Sequence, residues 1–223
     1  MCLKFLKSSV GKKVLMAVTG IFLLGFVIAH MLGNLQIFLG QERLNDYAQH
    51  LQDLPFLLWP ARAFLLGALI LHVGVSIKLA LENKAARPVP YVYPNTVQAT
   101  YASRTMRVSG FIILAFLVYH LLNFTFGVTH PQFFHLMDSK GRHDVYSMVI
   151  RSFQDYFVSG VYVVAMALLC LHLSHGVSSL FQSLGISDEK SRPAFEKLAR
   201  LTALTIFIGN TSIPTAVLLG FLG

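Results

Sequence analysis

The sequence predicts an all-α integral membrane bundle of five transmembrane helices, and three observations carry that prediction. Of 223 residues, 55% are hydrophobic and only 13% charged, with a mean hydropathy of +0.62, far from the balance of an ordinary water-soluble domain. Apolar runs of roughly 20 residues, enough to cross about 30 Å of hydrocarbon, occur five times. The segments between them are polar and hold most of the prolines.

The spans fall at about 14–39, 57–81, 108–128, 157–181 and 201–222, and the whole chain, 1–223, reads as a single transmembrane domain. The basic stretch "MCLKFLKSSVGKK" leads into a long apolar run without a small-residue cleavage site, so it reads as a retained first span. With the N-terminus inside, the inner segments hold thirteen of the eighteen basic residues, and the outer ones hold six of the ten acids. That bias predicts N-terminus inside and C-terminus outside. It also accounts for most of the net charge of +8 without a nucleic-acid partner. Trp59 and Tyr156 stand at span entrances, where aromatic belts form.

Several chemistries are excluded. Cys2 and Cys170 are far apart, with no CxxC spacing for zinc or an iron–sulfur cluster. No glycine-rich nucleotide fingerprint occurs. No Asp or Glu lies well inside a span, and neither internal repeats nor broken helices are evident, which disfavours a transporter.

Histidine is the unexpected residue. His30, His72 and His120 lie near the middle of the first three spans, and His172 and His175 share the fourth. A single imidazole in a membrane helix is explained by hydrogen bonding across helices; four spans carrying one suggest ligands. With about 1.5 Å rise per residue, His30 and His120 fall roughly 5 and 3 Å to the outer side of their span midpoints, and His72 and His172 about 4 to 5 Å to the inner side. The depths sort them into two pairs, first span with third and second with fourth. Facing imidazole pairs suit bis-histidine haem b, whereas zinc or copper calls for more ligands at one level. Gly33, Ser76 and Gly176, one turn from His30, His72 and His172, would make room for a porphyrin; small residues also serve close helix packing. In "HLSHG" His172 is favoured over His175, which lies one turn nearer the inner surface.

The stretches "SSVGKKVLMAVTGIFL", "HMLGNLQIFLG", "NDYAQHL", "LENKAARPVPY", "YASRTMRVSG" and "LHLSHGVSSLFQSLGI" together resemble the five-span, di-haem cytochrome b anchor of bacterial succinate dehydrogenases and fumarate reductases. The resemblance extends over nearly the whole chain. It implies axial ligation of an outer haem by His30 and His120, and of an inner one by His72 and His172, with His175 as the alternative. It further implies a subunit of an enzyme whose succinate site lies on another chain: a flavoprotein exchanges electrons with an iron–sulfur subunit, and the anchor passes them to quinone. The inner loops would dock the iron–sulfur subunit on the cytoplasmic face of a bacterial inner membrane. Ser103, Arg104 and Arg107 are candidates to meet inner haem propionates. On the outer side Glu42, Arg43, Asn45, Asp46, Tyr47, His50 and Arg62 are candidates for a quinone site. The fourth span has no carboxylate beside its histidines, only Cys170. A haem b anchor of another quinone-linked enzyme, or a non-redox anchor, are the competing readings.

Overall fold

Residues 8–86, 89 and 99–223 are described by a computed structural model of the chain. Cys2, Lys4, Lys7, Arg87 and most of the stretch from 87 to 98, part of the expected docking loop, lie outside the described residues. Eight helices follow in order. They are α1 Ser9–Asn34, α2 Gln41–Gln52, α3 Pro55–Ala85, α4 Tyr101–His120, α5 Pro131–Phe134, α6 Val145–Phe153, α7 Tyr156–Ser183 and α8 Arg192–Leu218. Five of them, α1, α3, α4, α7 and α8, are long and apolar enough to cross a membrane, so the chain is a multi-pass helical membrane protein.

The long helices outrun the apolar windows of the sequence. Backbone hydrogen bonding continues through polar residues once the chain leaves hydrocarbon, and side chains mark where it stops. Ser8 accepts from Gly11 N at 3.0 Å, Thr100 from Ser103 N at 3.1 Å, and Asp155 from Phe157 N at 2.7 Å, each an N-terminal cap. Proline opens α3 and α8, where its missing N–H costs nothing. The α4 helix widens into a π turn, Leu121–Thr125, directly after His120.

Helix α1 packs against α3 and α7, α4 against α7, and α8 against α7 and α1. The four histidine-bearing helices thus form one group, with α8 laid against it. At one end Lys12, itself buried, meets the Glu82 carboxylate at 2.5 and 2.6 Å, closing the start of α1 onto the end of α3. Side chains such as Phe22, Ile70, Phe111, Val164 and Ile208 are exposed, as lipid-facing positions of a bundle must be.

The other end carries a folded cap in place of the polar connectors expected between spans. A short reversal pairs Met137 with His143 and turns at Gly141, φ +74°. Asn45 of α2 is fully buried beneath it. Its amide donates to Asp138 Oδ2 at 3.2 Å and Asp144 Oδ1 at 3.0 Å, and its carbonyl oxygen accepts from Tyr146 N at 3.0 Å. Arg142 bridges Asp138, Glu42 and Asp46, and Lys140 pairs with Glu42. Ile37, Leu44, Ile150, Phe153, Val158, Tyr162, Ile213 and Val217 form the apolar core below.

Asn45→Ala removes one donor pair and one acceptor from groups that water cannot reach, at roughly 1–3 kcal/mol for each group left without a partner; chemical unfolding in detergent should show the loss. The Arg142 guanidinium holds the Asp138 carboxyl well below its usual range, and Glu42 is lowered by Lys140 and Arg142. Their folded-state values being depressed, their stabilisation is complete above the unfolded value of about 4 and is lost as pH falls below it. Proteolysis of the 136–146 segment should accelerate on acidification through that range, and Arg142→Gln should flatten the response.

Candidate functional site

The five span histidines occupy two levels of the bundle. Nearer the cap, His30 of α1 and His120 of α4 face each other, ring centroids 5.7 Å apart and planes at 88°. Each has a phenylalanine one turn earlier on its own helix: Phe26 stacks on His30 at 5.3 Å, and Phe116 lies 6.0 Å from His120. His120 Nδ1 is 3.1 Å from the Tyr162 hydroxyl of α7, and Tyr162 is held by edge contacts with Phe116, Phe124 and Phe153.

Nearer the Lys12 end lie His72 of α3 and His172 of α7. Their Nδ1 atoms are held in matching ways. His72 Nδ1 is 3.2 Å from both the Thr19 hydroxyl and the Met16 carbonyl of α1. His172 Nδ1 is 3.4 Å from the Ser109 hydroxyl of α4 and bonds the Met106 backbone. Both hydroxyls give their own hydrogen to their helix, Thr19 to the Leu15 and Met16 carbonyls and Ser109 to that of Met106. Only lone pairs are then turned toward each Nδ1, so Nδ1 carries the ring hydrogen and Nε2 keeps its lone pair.

His175 is placed differently. Its Nε2 lies 3.1 Å from the Ser179 hydroxyl one turn on along the same helix. The small residues expected to leave room beside the imidazoles have other neighbours. A Cβ on Gly33 would stand 2.6 to 2.9 Å from the Tyr47 ring, one on Gly176 3.4 Å from Met106, and Ser76 bonds back to the Val73 carbonyl at 2.8 Å. The glycines beside the rings are Gly20 and Gly110, where an added Cβ would stand 3.4 Å from Cε1 of His72 and of His172. Sequence reading from each histidine along its own helix misses these residues, because the space comes from the helix opposite.

A signal for them is present, however, as an internal repeat not evident from the composition of the spans. "MAVTG" at 16–20 and "MRVSG" at 106–110 begin the pattern Met-x-Val-(Thr or Ser)-Gly-x5-Phe-x3-His, which ends at His30 and His120. The first and third spans thus share one pattern, each carrying a hydroxyl–glycine pair at one level and a histidine at the other.

The polar candidates divide. Asn45 has both amide donors and its carbonyl oxygen engaged, and Glu42 and Asp46 are tied to Arg142. Arg43 and His50 are exposed, Tyr47 lies against Gly33, and Arg62 sits 5.2 Å over the Trp59 ring on α3, apart from the cap. Ser103 donates to the Thr100 carbonyl at 2.9 Å. Arg104 and Arg107 share the first turns of α4 with it, and among the described residues no carboxylate lies within ion-pair distance of either.

With metal–imidazole bonds of about 2 Å, two rings sharing one ion have centroids about 6 Å apart, so the spacing of His30 and His120 fits an axial pair. Among the described residues no three His, Cys, Asp or Glu side chains cluster as a metal site, so a metal-bearing group held by His30 and His120 would have to bring its other ligands with it. Haem meets that condition. Fold and site define a helical membrane protein with one facing histidine pair and two further imidazoles that look across to hydroxyls on neighbouring helices. The chain matches no family model, no curated protein and no solved structure.

Tyr162→Phe keeps the aromatic packing and strips His120 Nδ1 of its partner. It should cost about 1 kcal/mol, read as a lowered unfolding midpoint in detergent.

Proposed function

We propose that this chain is the membrane-anchor cytochrome b subunit of a succinate:quinone oxidoreductase, binding two haems b. The observation that carries the reading is the facing of His30 and His120 across the bundle, 5.7 Å apart, and it is supported by the like setting of His72 and His172, each with Nδ1 against a hydroxyl of another helix. The resemblance in "YASRTMRVSG" and "LHLSHGVSSLFQSLGI" supports the choice of enzyme.

His30 and His120 would hold one haem and His72 and His172 the other. When bound, a haem b supplies one-electron redox chemistry at an iron whose potential follows its ligands and surroundings. The chain's own part is to fix the axial imidazoles and to shut the pairs away from water. As a ligand through Nε2, His120 would carry its hydrogen on Nδ1, where the Tyr162 hydroxyl 3.1 Å away is able to accept it. His175, with Nε2 bonded inside its own helix, serves as a neighbour of the site and not as its ligand.

The basic bias supports an orientation with the Lys12 end on the cytoplasmic side of a bacterial inner membrane and the cap outside. At the cytoplasmic end Arg104 and Arg107, without carboxylate partners among the described residues, suit haem propionates, and the adjoining loops suit the iron–sulfur subunit that connects to the flavoprotein. On the outer side Arg43, Tyr47 and Arg62 keep the role of quinone donors, while Glu42 and Asn45 build the cap that covers the upper pair.

A reduced-minus-oxidised spectrum of the purified complex should show two haems b per chain, reduced on adding succinate. One haem would make one pair structural, and none would leave a non-redox anchor. His172→Ala should remove the haem nearer the Lys12 end and spare the other. His175→Ala should retain both; the reverse pattern would exchange the two residues' roles.

A further inference from the structure

We infer that Thr19 with Gly20, and Ser109 with Gly110, are positioning residues that set the tautomer and seat of the His72 and His172 imidazoles as axial ligands. The inference rests on the haem reading above. It assigns a role to residues that bind nothing themselves and lie on helices other than those of the ligands they serve.

Three observations converge. The same hydroxyl–glycine dipeptide occurs at the same place in both halves of the repeat. In both halves the hydroxyl faces Nδ1, at 3.2 and 3.4 Å. In both, the glycine lies 3.4 Å from Cε1 and 3.8 Å from Nδ1 of the same ring, as measured from the Cβ it lacks. A hydroxyl bonding back to its own helix is ordinary in a membrane span; turning its remaining lone pair to an imidazole on the neighbouring helix, twice, is a further property.

The chemistry follows from the donor count. An imidazole ligates through Nε2 only if Nδ1 carries the hydrogen, and the hydroxyl and carbonyl together leave Nδ1 no other state. Accepting that hydrogen also pushes electron density into the ring, which favours the oxidised iron and lowers its potential. The glycine lies beside the ring, where an added Cβ would reach van der Waals contact with Cε1. The cap-side pair lacks this device: His120 has the Tyr162 hydroxyl, and His30 is held by ring stacking. The two levels therefore differ in potential, and the hydroxyls act on one of them.

The test is a potentiometric titration, with electron paramagnetic resonance of the oxidised haems, on the intact complex carrying Thr19→Val, Ser109→Ala or both. Each single change should raise the midpoint potential and alter the resonance of the Lys12-side haem alone, and lower its affinity for that haem about 10–100-fold. Thr19→Ser and Ser109→Thr, which exchange the residues of the two halves, should restore both signals. Two haems with unchanged potentials and spectra in both single variants would overturn the positioning role while leaving the haem reading intact. A wild-type complex without haem at that level would overturn both. If the double variant fails to assemble, Ser109→Ala alone decides, since it deletes one oxygen atom from a side chain already surrounded by protein.

Discussion

Hydrocarbon offers no water, so each polar atom placed in a span must find its partner within the protein. Most of the side chains that break the apolar runs meet that condition locally. Ser76, Ser174, Ser178, Thr211 and Ser212 return their hydrogen to a carbonyl three or four residues back on their own helix. An imidazole is too stiff and too long for that solution at Nδ1, and four of the five span histidines look across to another helix. Their partners then fix which helices must be neighbours. Thr19 to His72 joins α1 to α3, Ser109 to His172 joins α4 to α7, and the facing rings of His30 and His120 join the two halves.

The pattern shared by the first and third spans follows the same logic. Two helix pairs, each joined by a hydroxyl and an imidazole, bring His30 and His120 face to face when they associate. The two spans differ where their surroundings do. Helix α4 carries a π turn after His120, whereas α1 runs on into a tighter turn, Leu35–Leu39, ended by Gly40 at φ +98°. Both devices bring the chain out of the bundle near the cap, the second through a backbone conformation that glycine adopts without strain.

The cap obeys the opposite constraint. Outside hydrocarbon, charges cost little and salt bridges contribute modestly, so its order rests on the buried amide of Asn45 more than on the exposed ion pairs around it. An exposed acid–base network over a fully satisfied buried amide closes one end of the bundle against water. At the other end a single buried cation, Lys12, does comparable work with Glu82.

Composition and apolar run length by themselves determined the five spans, because the thickness of hydrocarbon admits few other solutions. They also exposed the histidines, which stand out against apolar neighbours. Residue contacts were another matter. The tertiary structure placed Gly20 and Gly110 against the imidazoles and gave Gly33 to Tyr47, because the room beside a side chain belongs to the helix it faces, and helix neighbours are not written in the spacing along one helix. It also turned Asn45 from a ligand candidate into a buried strut. A short polar helix reads alike whether it meets a ligand or folds onto a distant loop; which of the two occurs depends on partners about a hundred residues away, Asp138, Asp144 and Tyr146.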